Sequence, residues 1–168
     1  MASLPDNKVI FVPDGNLGNY VAKQVPDKEL ILWNGYCVTH AKVKPEDVKI
    51  IREKYPEAEI LIHPECDPQV VDLADFVGST AAIIRYAKQS DCKMFVIGTE
   101  LGVVCNLKAI LPNKQIFLLH SGLVCPNMKK TRLQSVYEAL LHTKHEIIVE
   151  DAIASRAKGT LNRMLEVG

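Results

Sequence analysis

Short apolar runs alternate with helical stretches along most of the chain. The runs are bounded by turn residues and are rich in β-branched side chains, which predicts buried strands. They lie at 9–12, 29–33, 60–62, 94–97 and 116–119, with a minor strand at 75–78. Helices are predicted at 17–23, 45–55, 68–74, 79–87, 101–110, 130–141 and 151–165. This alternation predicts an α/β fold of α/β/α layers, with short, mostly parallel sheets covered on both faces by helices.

Three of the predicted strands run directly into reactive side chains. The run at 60–62 leads into His63-Pro64-Glu65-Cys66, the run at 29–33 is followed by Cys37 and His40, and the run at 116–119 is followed by Cys125. The carboxyl ends of parallel strands meet at one edge of a sheet, and ligands collect there. We therefore expect one shared site beside His63 and Glu65.

The composition narrows the class of protein. Twenty basic residues balance twenty acidic ones in 168, so nucleic-acid binding has no electrostatic support. No apolar stretch has the length of a membrane span, and the first residues lack a signal-peptide pattern, which predicts a cytoplasmic protein without membrane contact. Five cysteines, an odd number, favour reduced thiols, metal ligation or plain packing over a disulfide framework.

Each candidate residue also has an ordinary structural explanation. A cysteine in such a domain is often a small buried hydrophobic residue. His63 could be a strand-end histidine with its hydrogen bonds satisfied, and Glu65 a solvated charge at the rim. Ser79 and Thr80 could cap a helix, or their hydroxyls and the free N–H groups of that helix could bind an anion.

Several motifs, taken in order, resemble those of the quinolinate synthase family, iron–sulfur enzymes of NAD biosynthesis. Individually each motif is weak, but together they cover nearly the whole chain. The motifs are Phe11-Val12-Pro13-Asp14, Cys37-Val38-Thr39-His40, His63-Pro64-Glu65-Cys66, Gly78-Ser79-Thr80, Gly98-Thr99-Glu100 and Cys125-Pro126-Asn127-Met128-Lys129.

The resemblance implies three similar α/β modules around a pseudo-threefold axis. Each module gives one cysteine to a [4Fe–4S] cluster that keeps one iron open, and Cys37 and Cys125 match the second and third of these ligands. By this comparison 1–37 is the second half of the middle module, 38–124 is the complete third module, and 125–168 forms helices that pack on a first module absent from this chain. Cys66 is expected to line the pocket, with Cys92 and Cys105 in the core.

The resemblance also implies a reaction and roles for the residues. Iminoaspartate condenses with dihydroxyacetone phosphate to give quinolinate, and L-aspartate oxidase is a candidate supplier of the iminoaspartate. Glu65 would be the general acid and base, and His63 and His40 would hold carboxylates or move protons. Substrate binding would fall to His63, Pro64, Glu65, Ser79 and Thr80.

Two other functions remain open from the residues alone. One is a non-catalytic module that binds a small dicarboxylate or phosphate through His63, Ser79 and Thr80. The other is a zinc hydrolase with cysteine and histidine ligands and Glu65 as base, although no paired zinc-ligand motif supports it. Because only two cluster ligands match, catalysis is expected to need a second polypeptide or a longer chain.

Overall fold

The computed structural model describes residues 1–167, which divide into two compact units. One unit spans Lys8–Cys125, and the other combines Met1–Asn7 with the segment that begins at Pro126. The elements are β1 (Lys8–Phe11), α1 (Gly15–Gln24), β2 (Glu29–Leu32), a short 3-10 helix (His40–Lys42), α2 (Pro45–Lys54), β3 (Glu59–Ile62), α3 (Pro68–Val71), β4 (Phe76–Val77), α4 (Thr80–Gln89), β5 (Met94–Gly98), α5 (Leu101–Ile110), β6 (Gln115–Leu118), α6 (Leu133–His142) and α7 (Asp151–Val167).

The larger sheet of the first unit has four parallel strands in the order β4-β3-β5-β6. Alternate residues of its central strands belong to two separate cores, because successive side chains of a strand point to opposite faces. Ile60, Ile62 and Val96 pack with residues of α2 and α3. Leu61, Phe95 and Ile97 pack with residues of α4 and α5. Helices therefore cover both faces, which confirms the predicted α/β/α layers.

The smaller sheet contains only β1 and β2, paired in parallel. Helix α1 packs on it, and Gly18 fits closely against side chains of Phe11 and Leu32. Ile10 and Ile31 are partners across the two strands, and their side chains stay 72% and 43% exposed. One face of this sheet is thus bare, and it carries this isoleucine pair beside the Lys8–Glu29 ion pair.

Most predicted elements are confirmed to within a few residues of their ends, but the helix after Cys66 is much shorter. We expected it to continue to residue 74, and it ends at Val71. Asp75 explains the early end, because its carboxylate accepts hydrogen bonds from Arg52 and from the Ile60 N–H. These bonds return the chain to the sheet, where β4 pairs with β3.

The second unit consists of two helices and the segments around them. Among its described residues, at 1–7 and 126–167, none is buried. Large apolar side chains are open to solvent on both helices, including Leu133 and Leu140 on α6 and Leu165 on α7. The apolar segment 147–149 has no regular structure. No described helix combines the length and the apolar character needed to cross a membrane.

Candidate active site

The carboxyl ends of several strands bring the predicted residues together. His63 and Glu65 follow β3, Thr99 follows β5, and His40 lies in the 3-10 helix after β2. The His63 N–H donates to the Gly98 carbonyl, and the Cys66 N–H donates back to the His63 carbonyl in a tight turn. These bonds fix the side chains at the sheet edge where the sequence predicted them.

Glu65 lies beside two stacked histidines. Its Oε2 is 3.0 Å from Nδ1 of His40 and 3.7 Å from Nδ1 of His63. The His40 contact is short but is not aligned as a regular hydrogen bond, so we treat it as chiefly electrostatic. The two imidazole rings stack with centroids 4.7 Å apart and planes inclined by 14°.

Burial favours the neutral form of both histidines. Desolvation lowers the pKa of His40, although Glu65 and nearby carboxylates partly oppose that shift. The pKa of His63 is lowered first by desolvation and then by the neighbouring His40. At neutral pH the pair therefore offers ring nitrogens that can donate or accept protons, beside a carboxylate.

The contacts also assign the ring protons. The Glu65 N–H donates to Nδ1 of His63 at 3.3 Å, so neutral His63 carries its proton on Nε2. Nδ1 of His40 faces a carboxylate oxygen, which can only accept, and this favours a proton on Nδ1. Nε2 of His40 then accepts from the Thr99 hydroxyl, 3.0 Å away.

Cys37 completes this group. One ligand atom each from Cys37, His40 and Glu65 lies within 4.8 Å of the others, so these residues could hold a metal ion. The Asn16 amide donates to the Glu65 carbonyl at 3.2 Å, which ties the start of α1 to the loop after β3. Cys125 is half-buried after β6 and lies outside this group of three among the described residues.

The remaining cysteines have other surroundings. Burial raises the pKa of the Cys66 thiol to about 12, and the side chain packs in the core with its Sγ toward the Gly98 carbonyl. Cys92 is partly buried against the core. Cys105 is exposed, so the prediction that it lies in the core is wrong. Helix α5 buries Val104 and Leu107 instead, which turns the position between them outward.

The predicted anion-binding residues lie at the start of α4. Ser79 is the N-cap, and its Oγ accepts from the Ala82 N–H at 3.2 Å. Ser79 and Thr80 are exposed, and Pro64 is buried. Because β4 lies next to β3 in the parallel sheet, the helix starts at the same edge as His63.

An open cleft of about 640 Å³ adjoins the cysteine and histidine of the β2 loop. Its lining includes their chain neighbours Tyr36 and Ala41, and the polar side chains of Asn16, Asn19 and Lys44. The cleft gives a small polar molecule a route to this part of the chain.

Sequence reasoning missed three residues of the site. Thr99 holds His40, and the buried carboxylates of Asp14 and Glu100 accept the backbone N–H groups of Cys37 and Cys125. All three residues stand in motifs that carry the family resemblance, but no role was predicted for them. The available signal was position, since Asp14 and Glu100 come two and three residues after predicted strands.

Comparison with known proteins gives a family. A family model described as "Quinolinate synthetase A protein" matches residues 1–166. The chain belongs to the quinolinate synthase family. It is 56% identical over 165 residues to the quinolinate synthase of Alkaliphilus metalliredigens and 54% identical over 164 residues to that of Caldicellulosiruptor bescii. The quinolinate synthase of Clostridioides difficile is 45% identical over 160 residues.

The chain spans about half the length of these quinolinate synthases. The matches cover 98% of this chain but 54% of the Alkaliphilus and Caldicellulosiruptor proteins, and 95% against 53% for the Clostridioides protein. Cys37 and Cys125, which follow β2 and β6, are partly buried thiols, and thiolate is the donor type that binds iron–sulfur clusters.

Proposed function

We propose that this chain forms the carboxyl-terminal part of a quinolinate synthase active site. The reaction is the condensation of iminoaspartate with dihydroxyacetone phosphate, followed by loss of phosphate and two dehydrations. The observation that carries the proposal is the Glu65 carboxylate close to Nδ1 of both His40 and His63, beside Cys37, in a member of this family.

Glu65 is suited to exchange protons with a bound substrate. It is partly buried at a strand end, and its main chain is held through Asn16. A carboxylate that is fixed in this manner can remove a proton in one step and return it in the next. His40 lies against it and can share the proton, while Thr99 keeps the ring oriented.

His63 serves best as a donor to an anionic group. Its Nδ1 already accepts from the Glu65 N–H, so the proton on Nε2 remains for a substrate oxygen. The start of α4 adds two hydroxyls and the backbone N–H groups of a helix N-terminus, which favour a carboxylate or phosphate. Ser79 uses its lone pair for the helix cap, which leaves its hydroxyl proton available.

Cys37 and Cys125 would hold a [4Fe–4S] cluster. When bound, the cluster supplies an open iron that acts as a Lewis acid toward a hydroxyl or ketone oxygen. The third thiolate would come from a polypeptide that corresponds to the amino-terminal half of the relatives. Iminoaspartate would be supplied by an oxidase that acts on aspartate, such as L-aspartate oxidase.

The modular arrangement expected from the family is part of this proposal. Residues 1–37 would complete a middle module, 38–124 would be the third module, and 125–168 would pack on the first, with Gly168 outside the described residues. The bare face of the β1–β2 sheet and the exposed apolar side chains of α6 and α7 support it. Both are surfaces that protein normally covers.

The decisive experiment measures iron and acid-labile sulfide after anaerobic reconstitution. The chain is tested alone and mixed with a polypeptide that spans the amino-terminal half of the Alkaliphilus metalliredigens relative. We expect about four of each per complex in the mixture, together with quinolinate formed from iminoaspartate and dihydroxyacetone phosphate. Negligible iron in the mixture would contradict the proposal.

Two substitutions assign the roles. Cys125→Ser should prevent iron uptake without unfolding the chain, and Cys105→Ser is the matched control because Cys105 is exposed on α5. Glu65→Gln should keep the iron and reduce turnover by about 10²- to 10⁴-fold. Full iron content in Cys125→Ser would remove Cys125 from the ligand set.

A further inference from the structure

Two cysteines of this chain are held by the same arrangement of hydrogen bonds. Asp14 follows β1 and caps α1, where its Oδ1 accepts from the Leu17 N–H at 2.8 Å. Its Oδ2 accepts from the Cys37 N–H, also at 2.8 Å. The next residue, Gly15, donates its N–H to the carbonyl of Gly35, two residues before the cysteine, at 2.8 Å.

Glu100 repeats the pattern after β5. It caps α5, where its Oε2 accepts from the Gly102 N–H at 2.6 Å. Its Oε1 accepts from the Cys125 N–H at 3.4 Å. The next residue, Leu101, donates its N–H to the carbonyl of Leu123, two residues before the cysteine, at 2.8 Å. We call each set of four residues a cap–cysteine clamp: Asp14, Gly15, Gly35 and Cys37 in the first, and Glu100, Leu101, Leu123 and Cys125 in the second.

A helix cap alone does not require these clamps. A serine or threonine caps a helix as well as an aspartate does, and it avoids the cost of burying a charge. Asp14 and Glu100 are nonetheless 4% and 5% exposed. Each uses one carboxylate oxygen for the helix and the other for the cysteine, a division that a hydroxyl cannot make. Glutamate has one more methylene than aspartate and still makes both contacts.

Other cysteines and other caps lack the arrangement. The Cys66 N–H donates to a backbone carbonyl, and the Cys92 N–H donates to the Ser90 hydroxyl. Asp67 caps α3 through the Gln69 N–H, and within the described residues it accepts no cysteine N–H. The clamps therefore coincide with the two cysteines that follow strands β2 and β6 at the ends of their loops.

We propose that Asp14 and Glu100 are positioning residues that fix the backbones of Cys37 and Cys125 for metal binding. The proposal rests on the proposed function for the identity of the bound group, but the restraint on each cysteine belongs to the chain itself. In each clamp, two hydrogen bonds join the start of a helix to the loop that carries the cysteine. The backbone of that loop is therefore restrained near the sulfur. Restraint before binding reduces the entropy that the ligands lose when the group binds.

The first test uses the chain without iron. Selective ¹⁵N-cysteine labelling gives one amide signal for each of the five cysteines, and hydrogen exchange is measured at each. Asp14→Ser keeps a helix cap but is too short to bond Cys37 as well. We expect exchange at the Cys37 N–H to rise about tenfold, the effect of losing one such hydrogen bond. Glu100→Ser should raise exchange at Cys125 by a smaller factor, because that bond is longer.

Asp67→Ser is the matched control, since it makes the same change at a cap that holds no cysteine. All five amides should keep their exchange rates in this variant. An unchanged Cys37 rate in Asp14→Ser overturns the proposal, and so does an equal rise at all five amides. If Asp14→Ser does not fold, Asp14→Asn keeps the size and leaves one acceptor oxygen for two N–H groups, so the same local rise is expected.

The second test uses the reconstituted mixture with the amino-terminal polypeptide. Iron should be lost to a chelator faster in Asp14→Ser and Glu100→Ser than in the unmodified chain or in Asp67→Ser. Equal loss in all four would overturn the role in metal binding. Iron uptake by none of them would refute the proposed function instead, and the exchange rates would still decide whether the two carboxylates position the cysteines.

Discussion

The two sheets of the first unit are built from similar strands but have different surroundings. In the four-stranded sheet, β5 is buried at every position from Phe95 to Gly98, with helices on both faces. In the two-stranded sheet, half-buried and exposed positions alternate, and Ile10 and Ile31 point to solvent. Parallel strands are normally covered on both faces. The four-stranded sheet is covered on both faces, whereas the two-stranded sheet keeps one face exposed.

The site depends on both sheets. Cys37 and His40 follow a strand of the smaller sheet, while His63, Glu65 and Thr99 follow strands of the larger one. The larger sheet therefore carries His63, Glu65 and Cys125 of the proposed site, and the smaller sheet carries Cys37 and His40. The predictions below separate these two contributions.

The largest effect is expected in the core of the four-stranded sheet. Leu61 is fully buried at the centre of β3, so Leu61→Ala should lower the free energy of unfolding by about 2–5 kcal/mol. Ile31→Ala in the smaller sheet should cost far less, because Ile31 is already 43% exposed. Urea unfolding of both variants checks this. Equal losses would mean that the two sheets do not differ in packing as described.

A smaller effect is expected where the smaller sheet meets the cysteine loop. A Cβ at Gly35 would collide with the Pro13 carbonyl and the Trp33 ring. Gly35→Ala should therefore destabilise the chain by about 1–3 kcal/mol through displaced backbone. Gly159→Ala is the control, because nothing lies within 4 Å of a Cβ there, and it should be neutral or stabilising in α7. Thermal unfolding measures both, and no loss in Gly35→Ala would contradict the close packing.

The next effect is a dependence of stability on pH. Burial lowers the pKa of His40 and His63 below the ordinary 6.5, so the folded chain resists protons that the unfolded chain accepts. Stability from these neutral rings is complete above about pH 6.5 and is lost as the pH falls toward their lowered pKa values. The His40→Gln/His63→Gln variant should lose this part of the slope in urea titrations at pH 7.5 and 5.5. The exposed His142→Gln control should keep the slope, and an unchanged slope in the double variant would refute the assignment.

The smallest change in stability, with a clear change in association, is expected at the bare sheet face. Ile10→Lys/Ile31→Glu puts an opposite-charge pair across the strands and should alter the free energy of unfolding by about 0.5 kcal/mol or less. Self-association of the chain should fall, because an apolar patch is removed. Sedimentation velocity at increasing concentration checks this against Ile50→Lys, a single exposed isoleucine on α2. Equal self-association of the two variants would mean that this sheet face does not drive association of the chain.

The sequence predicted the α/β layers and the meeting of His40, His63 and Glu65, because strand runs and strand ends follow from local pattern. Local pattern alone did not predict that the strands divide into two sheets, since pairing depends on contacts between distant residues; only the family resemblance implied a module boundary near residue 37. The sequence also did not show that Asp14 and Glu100 each accept both a helix N–H and a cysteine N–H. A capping carboxylate looks the same in sequence whether its second oxygen meets solvent or a cysteine 23 residues away.

Surface exposure of helical residues was the other weak point. Cys105 was assigned to the core because its neighbours are apolar, but the buried stripe of α5 passes through Val104 and Leu107. An apolar helix of ten residues does not reveal which side faces the sheet. Only the packed structure fixes that rotation.

Because the strands of the larger sheet are parallel, their carboxyl ends form one rim of the unit and their amino ends form the opposite rim. His63 and Glu65 lie at the carboxyl ends of the strands, whereas the opposite rim consists of short turns that lead into β3 and β6. Residues 56–57 and 112–113 on that rim are exposed. A fluorescent reporter, an affinity tag or an inserted peptide can be attached there, so the chain can be tracked or captured while its reactive edge stays free for a partner.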